Sequence, residues 1–249
     1  MSGHSKWHSI KYKKGAADAK RGKAFTKHAK LISIAARDGG ADAEMNSALR
    51  TAIINAKADN VPNANIDKAV KKGSGVGKDA LILDEIMYEG FGPVGVVFYI
   101  HVITDNRNRS VASVKTALTK NGGNMGEAGS VSYMFEKKGL IVAKPVGINK
   151  DDAEMYAIEA GAEDIEFVDD FFEIITEPSQ LMKVKENIES AGFVVDKAEF
   201  DFIAKNPVHI SDLATSQKIL KIVDALEEDE DVTNVYSNFD IPEDILEQI

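Results

Sequence analysis

The chain has 249 residues, room for two or three ordinary domains around well-buried cores. It is 44% hydrophobic and 28% charged, which excludes a disordered polymer, and it has no Cys, which excludes a disulfide framework and thiolate metal sites. The formal net charge of −10 hides a segregation: residues 1–78 hold 16 Lys and Arg against 6 Asp and Glu, a net of +10, whereas residues 79–249 hold 14 against 34, a net of −20.

Taken in chain order, residues 1–15 are basic and show no clear period; they carry no apolar core of a secretory signal. The 3.6-residue period predicts a helix from Lys14 to Asp38, stopped by Gly39-Gly40. Phe25, Ala29, Ile32 and Ala36 fall on one face of it, and Lys20, Lys23, Lys27 and Lys30 on another roughly 170° away. A second helix is expected over Asn46 to Asp59, and a third, short one places Ile66, Ala69 and Val70 inward before Gly73. Residues 73–78, GSGVGK, read as a linker.

After residue 80 the pattern changes. Strands are predicted at Glu85 to Glu89 and Val94 to Thr104, a helix at Val111 to Lys120, and strands at Val131 to Phe135 and Leu140 to Ala143. The segment 140–203 then alternates as β-α-β-β-α-β, the ferredoxin-like split motif. A helix from Ser211 to Glu227 and a strand from Val232 to Asn238 close the chain. These last two elements have no neighbours at their own end, and residues 80–135 lack partners at theirs. The expected fold is therefore multidomain α+β: an N-terminal three-helix bundle (1–79), then two α/β, ferredoxin-like domains. One is discontinuous (80–135 plus 206–249) and carries the other (136–205) as an insertion.

The basic patch is the strongest candidate site. Lys6, Lys11, Lys13, Lys14, Lys20, Arg21, Lys23, Lys27 and Lys30 offer cations that neutralise phosphates and release counterions, a mostly sequence-independent mode of binding. Trp7 and Tyr12 lie among them and can stack on unpaired bases, and His8 can reach phosphate. The structural alternative is a solvated helix face with Trp7 packed onto the bundle. In Thr104-Asp105-Asn106-Arg107-Asn108-Arg109-Ser110, the residues before the helix can cap its N–H groups, and Arg107 with Arg109 gives a secondary phosphate contact. Glu227 to Asp231, five consecutive acids, oppose the dipole of their helix; a solvated end, a partner surface or an electrostatic brake on nucleic-acid binding would each explain them.

Other motifs fail on spacing. His4 and His8 are four apart but lack further ligands, so no metal site is expected. The glycines of 73–78 leave three residues, not four, before Gly77-Lys78, and Asp79 stands where a phosphate loop needs Ser or Thr. The five histidines, at 4, 8, 28, 101 and 209, sit in no catalytic pattern. The expectation is a non-enzymatic protein without cofactor, small-molecule substrate or membrane partner. The longest apolar run, 94–100, is too short to span a bilayer, and the absence of Cys suits the reducing cytoplasm.

Residues 2–27, SGHSKWHSIKYKKGAADAKRGKAFTK, resemble the opening of the YebC/PmpR family. So do IDKAVKKGSG (66–75), YEGFGPVGV (88–96), TDNRNRSVASVK (104–115), GGNMGEAGSVSYMF (122–135) and VTNVYSNFDI (232–241). One departure is His28-Ala29-Lys30, where the family has a more apolar run. The resemblance implies a helical bundle ahead of two α/β domains and no known catalysis. It also implies one of two roles: a DNA-binding transcriptional regulator, or a translation factor on ribosomal or transfer RNA, like the mitochondrial translational activator of cytochrome c oxidase in the same family. On either reading the acidic α/β part is free to meet the ribosome or a protein partner. A protein-interaction scaffold is the third, weaker reading.

Overall fold

The structure is a computed structural model that describes residues 17–75, 83–168 and 170–249. Three helices come first: α1 (Ala17–Gly39), α2 (Ser47–Ala58) and α3 (Asn63–Gly73). Asn46 starts α2: its Oδ1 accepts the Leu49 N–H at 3.0 Å, while its Nδ2 donates to the carbonyls of Ala35 and Gly40 at 2.8 Å. One side chain thus caps α2 and ties it to the end of α1. Ile32, Ala36, Leu49, Ala56, Val61, Ile66 and Ala69 form the bundle core.

The chain then builds β1 (Asp84–Phe91), β2 (Val97–Thr104), α4 (Arg107–Lys120) and β3 (Asn124–Met125). It next traces β4 (Phe135–Pro145), α5 (Lys150–Ala160), β5 (Asp164–Val168), β6 (Phe171–Thr176), α6 (Leu181–Ser190) and β7 (Phe193–Ala204). After β8 (Val208–His209) come α7 (Leu213–Glu227), β9 (Val232–Ser237), β10 (Phe239–Asp240) and α8 (Glu243–Leu246). β9 pairs antiparallel with β2, giving a first sheet ordered β3-β1-β2-β9 from strands more than a hundred residues apart. The second sheet, β5-β6-β4-β7, comes entirely from the stretch between, with the β-α-β-β-α-β order of the ferredoxin-like motif. The protein is thus a multidomain α+β molecule, a helical bundle ahead of two α/β units, one of them inserted in the other.

One face of the first sheet buries Val96, Phe98, Ile100 and Val102 against α4 and α7. Its other face meets the second unit through Tyr99, Phe135, Phe202 and Tyr236, with ring centroids 5.1–5.6 Å apart. Three of the boundaries that differ from the sequence expectation have a visible cause. Residues 93–95 and 132–134 are 3₁₀ turns, so β2 begins at Val97 and β4 at Phe135. Val131 cannot join a strand ladder because its N–H donates to the Glu89 carboxylate. Helix α4 begins four residues early, at Arg107, because Asn106 Oδ1 caps it through the Arg109 N–H at 3.1 Å.

Candidate nucleic-acid interface

α1 turns Ile32 and Ala36 into the bundle, which sends Lys23 and Lys30 toward the first α/β unit. The sequence leaves that face to solvent; the structure does not. Lys23 Nζ donates to the Glu228 carbonyl at 2.9 Å. Lys30 Nζ donates to the Glu230 carbonyl at 2.7 Å and to Asp231 Oδ1 at 2.8 Å. Between them Lys27 is half-buried; its ammonium titrates below the usual lysine range because burial disfavours the charge and Lys197 repels it, against the pull of Glu199, Glu227 and Asp59. The acidic run at the end of α7 therefore has a partner. The Glu228 and Glu230 carbonyls and the Asp231 carboxylate are met by ammoniums from α1, just past the C-terminal end of α7, where a helix dipole favours cations.

Asp231 is the buried centre of this contact. Besides Lys30, it accepts from Arg109 Nη2 at 2.8 Å, Arg109 Nε at 3.0 Å and Thr104 Oγ1 at 3.0 Å. Its carbonyl takes the Ile103 N–H at 2.9 Å. Burial opposes ionisation, yet the hydrogen bonds from Lys30, Arg109 and Thr104 prevail and hold the carboxyl below its ordinary range.

Arg107 and Arg109, the expected secondary phosphate contact, both face carboxylates. Arg107 Nε and Nη2 each reach Asp84 at 2.8 Å, and Arg109 also reaches Asp105 at 2.8 Å. Lys20 and Arg21 lie in the first turns of α1, whereas Lys6, Trp7, His8, Lys11, Lys13 and Lys14 fall outside the described residues. Residues 76–78 of the expected linker fall outside them as well, and Gly73 closes α3. Cations the sequence reading did not single out lie on α3: Lys68, Lys71 and Lys72 have no ion pair with a described residue. Lys68 and Lys72 line a groove of about 880 Å³ whose other walls include Lys30, Arg109 and Asp229. An i, i+3, i+4 lysine spacing beside Ile66 and Ala69 was the signal for them.

His28 is buried and meets Asp59 at 2.5 Å, tying α1 to the end of α2, and Lys30 meets Asp231. Two of the resembling motifs interlock elsewhere: Glu89, from 88–96, accepts from Gly129 N at 2.7 Å, Ser130 Oγ at 3.2 Å and Val131 N, all from 122–135. Glu89, Asn55 and Asp59 were missed from sequence, and Asp231 was named only as the last of the acidic run, without its partners. An acid inside an apolar strand was a signal for Glu89; the partners of the others lie too far along the chain to be read.

The fold and the docked lysine face define a class: a Cys-free α+β protein in which a basic helical bundle is seated on two acidic α/β units. Profiles of known families match nearly the whole chain, the "TACO1/YebC protein N-terminal domain" over residues 5–76 and the "TACO1/YebC second and third domain" over residues 83–239. The chain belongs to the TACO1/YebC family. It is 47% identical over 249 residues to a probable transcriptional regulatory protein of Fusobacterium nucleatum, covering 100% of both chains. A protein of the same description from Desulfotalea psychrophila is 48% identical over 251 residues, covering 100% of this chain and 99% of that one. The crystal structure of a conserved hypothetical protein from Aquifex aeolicus superposes with a TM-score of 0.85 at 42% identity, covering 92% and 93% of the two chains. No helix among the described residues is long and apolar enough to cross a membrane.

Proposed function

We propose that this protein is a non-enzymatic regulator of gene expression that binds nucleic acid through its basic N-terminal part, acting on DNA as a transcriptional regulator. The carrying observation is the charge segregation, +10 over residues 1–78 against −20 over the remainder. A compact basic unit on an acidic body concentrates a polyanion at one end of the molecule and repels it from the other. The proposed contacts are Lys6, Lys11, Lys13, Lys14, Lys20, Arg21 and Lys27, with Lys23 and Lys30 once released from the acidic run, and Lys68, Lys71 and Lys72 of α3. Trp7 and His8 accompany them. Lysines read charge rather than base edges, so sequence preference is weak. The names of the relatives, probable transcriptional regulatory proteins, support the regulatory part of this reading. In it the acidic α/β units contact protein partners.

The resemblance to a mitochondrial translational activator favours a second reading, in which the same lysines grip ribosomal or transfer RNA. Crosslinking in cells, followed by sequencing of bound DNA and RNA, separates the two. Promoter enrichment supports the first and ribosomal RNA the second; recovery of neither above background removes both. In vitro, neutralising about four phosphates lowers affinity roughly a hundredfold between about 50 and 200 mM salt.

A further inference from the structure

The contact between α1 and the end of α7 joins residues 200 to 205 positions apart, through Lys23 to the Glu228 carbonyl and Lys30 to Glu230 and Asp231. Each ammonium is held by oxygen acceptors in a negative field. A phosphate backbone would offer these lysines the same coordination. The acids are graded in depth: Glu228 and Glu230 are exposed and Asp231 is buried. Asp231 also keeps its hydrogen bonds from Arg109 and Thr104 if Lys30 leaves, so the departure does not orphan a buried charge. The groove carrying Lys68 and Lys72 opens directly beside Lys30, so a strand held by α3 already lies against the contact.

We propose that residues 227–231 are a built-in occupant of the phosphate-binding face of α1, which a polynucleotide must displace to reach Lys23 and Lys30. This rests on the nucleic-acid reading above. The run then acts as an internal competitor: it weakens binding to any polyanion and leaves only those able to displace it fully engaged. Lys23, whose contact is exposed, releases first, and Lys30 last.

The test uses the full chain and a fluorescent DNA duplex, with single-stranded RNA of equal length beside it. One variant, E227Q/E228Q/D229N/E230Q, neutralises four of the run's five acids, leaves Asp231 in its buried contacts and keeps an acceptor at residue 229 for the Asp231 N–H. A control, E159Q/E186Q/E243Q/E247Q, removes the same charge from exposed sites elsewhere. The run variant is expected to bind roughly tenfold tighter than the control. Its salt slope should be steeper by about 2, because two more lysines exchange counterions for phosphates. Equal affinity and slope in the two variants overturns the competitor while leaving the nucleic-acid reading intact. No binding by wild type or either variant overturns both. Should the fourfold change fail to fold, E228Q/E230Q alters only exposed side chains and is expected to give about half the gain in log affinity; no gain from it overturns the proposal equally.

Discussion

The side-chain amide of Asn55 takes both open main-chain groups of Ala198: its Nδ2 donates to the Ala198 carbonyl at 2.8 Å and its Oδ1 accepts the Ala198 N–H at 3.4 Å. β7 is an edge of the second sheet, and an edge strand presents unpaired N–H and C=O groups. α2 thus caps that edge with a single carboxamide and stitches the bundle to the inserted unit. Replacing Asn55 with Ala is expected to cost about 1–2 kcal/mol, since both Ala198 groups lose their partner. In a chain of this size that lowers the thermal midpoint by roughly 2–8 °C. Amide exchange at Ala198 should quicken at the same time; an unchanged midpoint and exchange rate would remove the stitch from this account.

Glu89 gives the stability of the first unit a pH dependence of known sign. Burial works against its charge, but the N–H groups of Gly129, Val131 and Ser132 and the Ser130 hydroxyl hold the carboxyl below its usual range. Its folded pKa lies below the unfolded value of about 4.3, so the stabilisation is present above that value and is lost as pH falls through the folded pKa. Urea unfolding at neutral pH is expected to show Glu89→Gln destabilised by about 1–3 kcal/mol, because its amide meets donors with donors. At acid pH the gap between variant and wild type should narrow, and a constant gap across the range would contradict the assignment.

Gly73 marks the closest approach of two helices. A Cβ built there lies 2.1 Å from the Ser33 carbonyl oxygen, so the end of α3 rests on the backbone of α1. Ser33 Oγ donates to the Ala69 carbonyl at 3.0 Å within the same contact. Gly73→Ala must separate the helices and is expected to cost about 1–3 kcal/mol, as overpacking does. Chemical denaturation reads it directly. Gly22, with nothing within 4 Å of its Cβ position, is the matched control: Ala there should stabilise α1 by roughly 0.5–1 kcal/mol.

These cases show which parts of the molecule were legible in the sequence. The helices and most strands follow from local periods, and the insertion follows from counting unpartnered elements at the two ends. The failures share one cause. Val131 reads as the start of a strand because its apolar neighbours are visible and the Glu89 carboxylate on its N–H is not. Lys23 and Lys30 do stand away from the apolar face of α1, yet helical arithmetic says nothing about what meets them there. The acids that do so lie two hundred residues on, and only the return of β9 to β2 brings them close.

That placement changes how the basic face should be tested. Reversing Lys20, Lys23, Lys27 and Lys30 to Glu would suit a solvated face, but Lys30→Glu sets a carboxylate against buried Asp231. Asp231 keeps Arg109 and Thr104, but the new carboxylate repels it across the contact, so lost binding would report undocking as much as a lost surface. The cleaner variant is Lys68→Gln with Lys71→Gln, two lysines that make no ion pair with a described residue. It is expected to leave the thermal midpoint within about 2 °C, as exposed substitutions do. Nucleic-acid affinity should fall about tenfold at low salt, equally for all sequences, with a salt slope shallower by about 2. Unaltered affinity and slope in a folded variant would remove α3 from the interface and return the whole of it to α1 and residues 1–16.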